Sequence, residues 1–417
     1  MSHIAWTWMI YVATHSNVAK YGEYSLDMIR AAQLGEQVRV LVQQETPEGC
    51  TRRDIGQTPE LAQDMGATSD SGEPSTLLDF IRWAVERAPA ERYALVLWSH
   101  GSGWEPSEMA RLAQTQPAAV PVSTGELKQR DDDERRQVFF ASSVRRLLSA
   151  PTPPERAIAA DDGSGHSLDC VELGEVVAKA AALIGRPLDL LAMNACQMAS
   201  VEVIYQCRAG ASTYVASQED MPAQSLPYAE ILTELVAQPA MDGAALGTLI
   251  VERYCAFYRD NNSLPWGQNK FPAGVTLAAV CSANITQLTQ AVSELATLLR
   301  ESIDSDLDAI WAAHRAALAF KFRLYDLASF CRSLIAQPGI SPATAEAAQR
   351  VLAVLADSSL VLANRQTAAK YTGVGGMTAY MMPPTPGKTL SAYYAETAFA
   401  RDTGWGEFLA AYHDAAG

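Results

Sequence analysis

Four apolar runs of strand length punctuate this chain: WTWMIYVAT (6–14), VRVLV (38–42), YALVLW (93–98) and LDLLAM (188–193). Their apolar residues sit on consecutive rather than alternate positions, so neither face of such a strand can be left in water. Stretches with helical spacing lie between them. Tyr24, Met28, Ile29 and Ala32 recur through 21–34, Leu78, Ile81, Trp83 and Val85 fall near one face of 75–88, and 171–184 repeats the pattern. Ser75 is placed to cap the second helix and Pro89 to end it. Strands covered on both sides and alternating with helices predict an α/β fold around a mostly parallel sheet.

Residues 50–73 are polar and glycine-rich, as in a hairpin or loop. Further on, the pattern predicts a strand at 214–217, helices at 228–236 and 241–259, and a strand at 274–281. An almost wholly helical stretch follows at 284–362, then a late strand at 376–382. The region 105–165 breaks the alternation. It carries a Pro/Ala/Gln/Thr stretch, the charge run KQRDDDERR (128–136), a short amphipathic segment and PTPPER, and reads as a surface insertion.

Two of the strand runs end directly in reactive side chains. YALVLW leads into Ser99-His100-Gly101-Ser102-Gly103-Trp104, and LDLLAM into Asn194-Ala195-Cys196-Gln197-Met198. In open parallel sheets, ligands bind outside the carboxyl ends of the strands. If these two strands are neighbours, His100 and Cys196 meet there. An imidazole that takes the thiol proton makes a strong nucleophile, and a helix starting just after Cys196 would favour the thiolate. The N–H groups of Gly101 and Cys196 are candidates for stabilising an oxyanion, with Gly101 and Gly103 allowing close backbone approach to a substrate carbonyl. Spacing alone leaves the plainer reading open, a core cysteine and a turn histidine.

The net charge of −15 and the lack of a basic stripe argue against nucleic-acid partners. No apolar stretch reaches the length of a membrane span. The N-terminus shows no basic region followed by an apolar run and cleavage site. The seven cysteines show no CxxC pairing. Together these suggest a cytoplasmic setting with free thiols. A nucleotide site is not supported, since GxxxxGK[ST] is absent and GSG after His100 is not a full GxGxxG. No metal is expected: His166 and Cys170 form too small a ligand set.

WSHGSGW (98–104) resembles the histidine segment of clostripain-like cysteine peptidases, and NACQMASVEVIY (194–205) is similar to the segment around their nucleophile. WTWMIYVAT, YVASQEDMPAQSLPYAEIL (214–232), YDLASF (325–330) and GVGGMTAYMMPP (373–384) extend the resemblance nearly end to end. It implies a caspase-like three-layer α/β/α sandwich with additional C-terminal helices. The catalytic core would span 1–237 with the insertion at about 105–165, and a mainly helical part, 238–417, would complete the sheet. It also implies an endopeptidase with a His100–Cys196 dyad and an acyl-enzyme, acting on proteins or peptides with Arg or Lys at P1. Calcium enters by resemblance only, and no other cofactor is expected.

The family's Asp two residues before the nucleophile is here Asn194, which offers hydrogen bonds without charge. Glu219 and Asp220 are candidates to restore the attraction for a basic P1 side chain, beside the alternative of a solvated acidic turn. The insertion holds basic residues suited to activating cleavage, by the enzyme itself or an upstream protease: Arg111, Lys128, Arg130, Arg135, Arg136, Arg145, Arg146 and Arg156. A latent protease in a bacterial signalling or defence pathway is one expectation. A catalytically lapsed binding or scaffold module is the alternative.

Overall fold

The computed structural model describes residues 3–13, 19–46, 49–56, 59–66, 70–99, 101, 103–104, 168–260, 274–384 and 390–416. His15, His100, His166, the 105–165 insertion and its eight candidate cleavage residues lie outside the described residues.

Strand β1 (Trp6–Ala13) is followed by α1 (Ala19–Ala31), β2 (Val38–Thr46), the hairpin β3 (Gly49–Asp54) and β4 (Leu61–Gly66), α2 (Pro74–Arg87) and β5 (Arg92–Trp98). Then come α3 (Cys170–Ile184), β6 (Leu188–Asn194), α4 (Val201–Cys207), β7 (Ala211–Ala216), α5 (Tyr228–Ala237), α6 (Gly243–Asp260) and β8 (Thr276–Cys281). The remainder comprises α7 (Ile285–Glu301), α8 (Ile303–Ala316), β9 (Leu324–Asp326), α9 (Leu327–Ile335), α10 (Pro342–Leu355), β10 (Val361–Gln366), β11 (Thr378–Tyr380), α11 (Ala398–Thr403) and α12 (Trp405–Ala416).

Nine strands form one sheet in the order β10-β8-β7-β6-β5-β1-β2-β3-β4. The centre, from β7 to β2, is parallel, and antiparallel pairs extend it at both edges. The apolar runs supply the parallel centre, where the pleat sends successive residues to opposite faces. Trp6, Trp8, Ile10 and Val12 pack with α1, α5 and α6, while Met9, Tyr11 and Ala13 pack with α2 and α3 on the other side. Both faces are therefore covered, giving an α/β/α sandwich. The C-terminal helices extend the layer that holds α2 and α3.

Local signals place several boundaries. Asp169 and Glu172 close a reciprocal capping box at the start of α3, and Gly185 ends that helix in the left-handed region at φ 83°. The expected cap at Ser75 is not used: α2 starts one residue earlier, with Pro74 in its first turn and Glu73 before it. The stretch expected to be almost wholly helical, 284–362, is interrupted by β9 and by the start of β10. β9 is three residues long, too short to leave a periodicity, and it pairs antiparallel with β11 in a separate two-stranded sheet.

Candidate active site

Strands β5 and β6 are parallel neighbours with Trp98 opposite Asn194, and the Ser99 N–H donates to the Asn194 carbonyl at 3.3 Å. The two chain segments thus leave the sheet side by side at their carboxyl ends, the adjacency that spacing alone left conditional.

Beyond β6 the chain makes a turn, with Gln197 at φ 61°, a conformation a non-glycine residue adopts only under constraint. The constraint is visible. Gln197 N–H donates to the Glu219 carbonyl at 3.3 Å and Ala199 N–H to the Ser217 carbonyl at 2.9 Å, so the 196–199 loop runs along 217–221. The Cys196 Sγ accepts from the Met221 N–H at 3.3 Å and lies 3.9 Å from the Met221 carbonyl. Burial, then the nearby Asp220 carboxylate, push the thiol well up, with Glu219 adding to the effect. The Met221 N–H and the Lys321 ammonium oppose them.

The helix expected to begin just after Cys196 does not. α4 starts at Val201, five residues on, because the loop's backbone donors are spent on 217–221. Its dipole is therefore not aimed at the sulfur, since the effect fades within a turn.

Gly101 lies against the 196–199 loop. A Cβ there would collide with the Cys196 carbonyl oxygen and sit 3.0 Å from the Met198 side chain. At Gly103, with φ 70°, a Cβ would fall 2.9 Å from Leu324 and 3.3 Å from the Gln197 carbonyl. These glycines permit a close approach to the Cys196 and Gln197 carbonyls of the protein's own chain. Trp104 anchors the segment, fully buried with edge contacts at 4.6 Å to Tyr380 and Tyr394.

Asn194 is 5 % exposed, and its Nδ2 donates to the Ser225 hydroxyl. Its amide is committed to holding the 221–228 segment over the end of β6. Glu219 and Asp220 stand beside the 196–199 loop, with side chains only 15 % and 14 % exposed. The buried Gln197 Nε2 reaches Asp220 at 3.2 Å and Glu219 at 3.5 Å, and the Tyr371 hydroxyl donates to Glu219. Asp220 is also paired with Lys321 at 2.7 Å, and Lys370 lies 4.0 Å from Glu219.

Sequence reasoning missed Lys321, Gln197, Tyr371 and Glu202. Lys321 had a faint signal in KFR (321–323), one residue ahead of YDLASF. Glu202 sits within a quoted motif, yet its part needed the fold. Fully buried at the start of α4, it accepts from the Tyr380 N–H at 2.9 Å, the Tyr394 hydroxyl at 3.0 Å and the Ser200 hydroxyl. Those two tyrosines pack on Trp104, so Glu202 joins the segment after Cys196 to Trp104 through the C-terminal half. Cys170 is buried with its thiol 3.9 Å from the Glu202 carbonyl. All seven cysteines are free. Among the described residues no cluster of His, Cys, Asp or Glu is suited to hold a metal, and no helix is long and apolar enough to cross a membrane.

The sequence model of the Clostripain family matches residues 10–118 and 145–412. No curated protein matches the sequence. Among solved structures, a secreted C11 cysteine protease from Bacteroides thetaiotaomicron in complex with an irreversible peptide inhibitor is similar with a TM-score of 0.64 and 18% identity. The match covers 96% of this chain and 99% of that one. An inactive zymogen C11 protease from Parabacteroides distasonis has a TM-score of 0.64 and 16% identity, over 97% of this chain and 99% of that one. A further structure of a secreted C11 protease from B. thetaiotaomicron has a TM-score of 0.62 and 14% identity, over 97% and 100%. These likenesses support the caspase-like sandwich. They also correct the cytoplasmic expectation: two of the structural relatives are secreted proteases, so free thiols and the N-terminal pattern do not establish that location.

Proposed function

The chain belongs to the clostripain family of cysteine peptidases, and we propose that it is an endopeptidase in which Cys196 is the nucleophile and His100 its general base. The observation that carries this reading is the paired exit of β5 and β6, with Gly101 packed on the Cys196 backbone. His100 immediately precedes that glycine in the chain.

In the proposed cycle His100 takes the Cys196 proton and the sulfur attacks the scissile carbonyl carbon. The oxyanion is met by the N–H groups of Gly101 and Cys196. Collapse breaks the C–N bond, the imidazolium protonates the leaving amine, and an acyl-enzyme remains. Water, deprotonated by His100, attacks the thioester, releasing the acid and restoring the thiol.

Glu219 and Asp220 are proposed to receive a basic P1 side chain, supported by their position beside the nucleophile loop. Asn194 is proposed to shape that site indirectly, through Ser225. The burial of the thiol and its two contacts with Met221 suit a latent form, activated by cleavage within 105–165. The signalling or defence role rested on retention inside the cell and is not carried forward.

Cleavage of a diverse peptide library by wild type, Cys196→Ala and His100→Ala tests the reading, after treatment with trypsin and with no protease. Cuts after Arg and Lys that vanish in both variants are expected. Hydrolysis that survives Cys196→Ala would refute the mechanism, and cuts confined to small P1 residues would refute the pocket assignment. Absence of all hydrolysis and of thiol labelling by peptide probes would favour a lapsed binding module.

A further inference from the structure

The acid pair proposed for P1 recognition is already partnered by cations from a distant part of the chain. Lys321, 101 residues after Asp220, places its ammonium 2.7 Å from the Asp220 carboxylate. Lys370 lies 4.0 Å from Glu219. The two lysine-bearing segments are tied together by stacking of Phe320 on Tyr371, with ring centroids 5.6 Å apart, and Tyr371 in turn donates to Glu219. The segment is also held at its far end, since Leu324 packs against Gly103. Among the described residues, two carboxylates facing two ammoniums leave no net charge for an incoming guanidinium.

The two lysines differ in reach. The Asp220 side chain is 14 % exposed and that of Lys321 41 %, so the contact lies at the edge of the site with the lysine on its solvent side. A pair this exposed on its lysine side holds only weakly, so a substrate cation can displace it. It is close enough to act electrostatically on the Cys196 sulfur.

We propose that Lys321 is a specificity-determining residue that occupies Asp220 as a built-in competitor for the basic P1 side chain, so that binding of Arg or Lys at P1 displaces its ammonium. This rests on Glu219 and Asp220 being the P1 receptor. Lys321 thereby lowers the discrimination between a charged P1 residue and a neutral one of the same shape. Its removal returns a full negative charge to the site.

The test uses the full chain and peptide amides differing only at P1, arginine against its neutral isostere citrulline. Lys321→Met is expected to raise the Arg:citrulline ratio of kcat/KM by roughly threefold to tenfold, and Lys321→Arg to leave it near wild type. In the Asp220→Asn background the Lys321→Met effect disappears. A ratio unmoved by Lys321→Met, or an effect that persists without Asp220, would overturn the proposal. A turnover-independent arm measures benzamidine binding by calorimetry to Cys196→Ala with and without Lys321→Met. Tighter binding is expected, and unchanged or weaker binding counts against the idea even if the enzyme stays latent. Hydrolysis independent of Cys196 would instead sink the peptidase mechanism, so the two failures are distinguishable.

Discussion

Gly101 is packed so tightly on the carbonyl of Cys196 that a single added carbon would overlap it. This contact fixes the spacing between the loop that follows β5 and the loop that holds the sulfur. Gly101→Ala must push the two apart, and a displacement near 1 Å costs on the order of 100-fold in rate. We expect kcat/KM to fall by about that factor while circular dichroism and the Tm stay close to wild type. Unaltered kinetics in the alanine variant would show that the spacing is not critical.

Asp220 is expected to act in two opposing directions. Its carboxylate is the largest charge contribution holding the Cys196 thiol up, second only to burial. Asp220→Asn should therefore speed alkylation of Cys196 by iodoacetamide near neutral pH, by severalfold. The same change should slow hydrolysis of Arg-P1 peptides. Alkylation and hydrolysis moving together would contradict the assignment.

Glu202 is a buried carboxyl whose pKa is raised by desolvation, against the bonds from Ser200, Tyr380 and Tyr394. Glu202→Gln keeps an acceptor for the Tyr380 N–H and should cost about 1 kcal/mol or less. Glu202→Ala leaves both a cavity and unpaired donors, and should destabilise by about 3 kcal/mol. Urea unfolding distinguishes the two, and a loss in the Gln variant as large as in the Ala variant would mean that the carboxylate itself, rather than filled volume and a retained acceptor, is what matters there.

His314 on α8 is buried, 3.1 Å from the Tyr412 hydroxyl on α12, and its pKa is lowered from 6.5 to about 4 chiefly by burial. A depressed folded value means that the unfolded chain binds the proton first. His314 therefore favours folding fully above pH 6.5, and that contribution is lost as pH falls towards 4, by up to about 3 kcal/mol. Thermal melts over this window should show the decline, and His314→Gln should flatten it. A variant that declines as steeply as wild type would assign the effect to other groups.

Much of the site was legible before the fold. Apolar runs without alternation announced strands covered on both faces, and WSHGSGW and NACQMASVEVIY marked where chemistry follows them. The helix over 171–184 was legible because periodicity is local, whereas its Asp169–Glu172 capping box emerged only with the structure. The helix after Cys196 was misjudged because VEVIY shows where a helical face lies but not how many preceding residues a neighbouring loop will claim.

The sequence by itself determined the parallel strands, since these follow from side-chain periodicity, and it marked Cys196 as the candidate nucleophile through the resemblance of its segment to the clostripain family. Only tertiary structure decided that Asn194 turns inward to Ser225, that Glu202 links the two loop segments, and that Lys321 meets Asp220. Charge pairing depends on distances of a few ångströms between residues about a hundred positions apart, and no local pattern encodes such a distance.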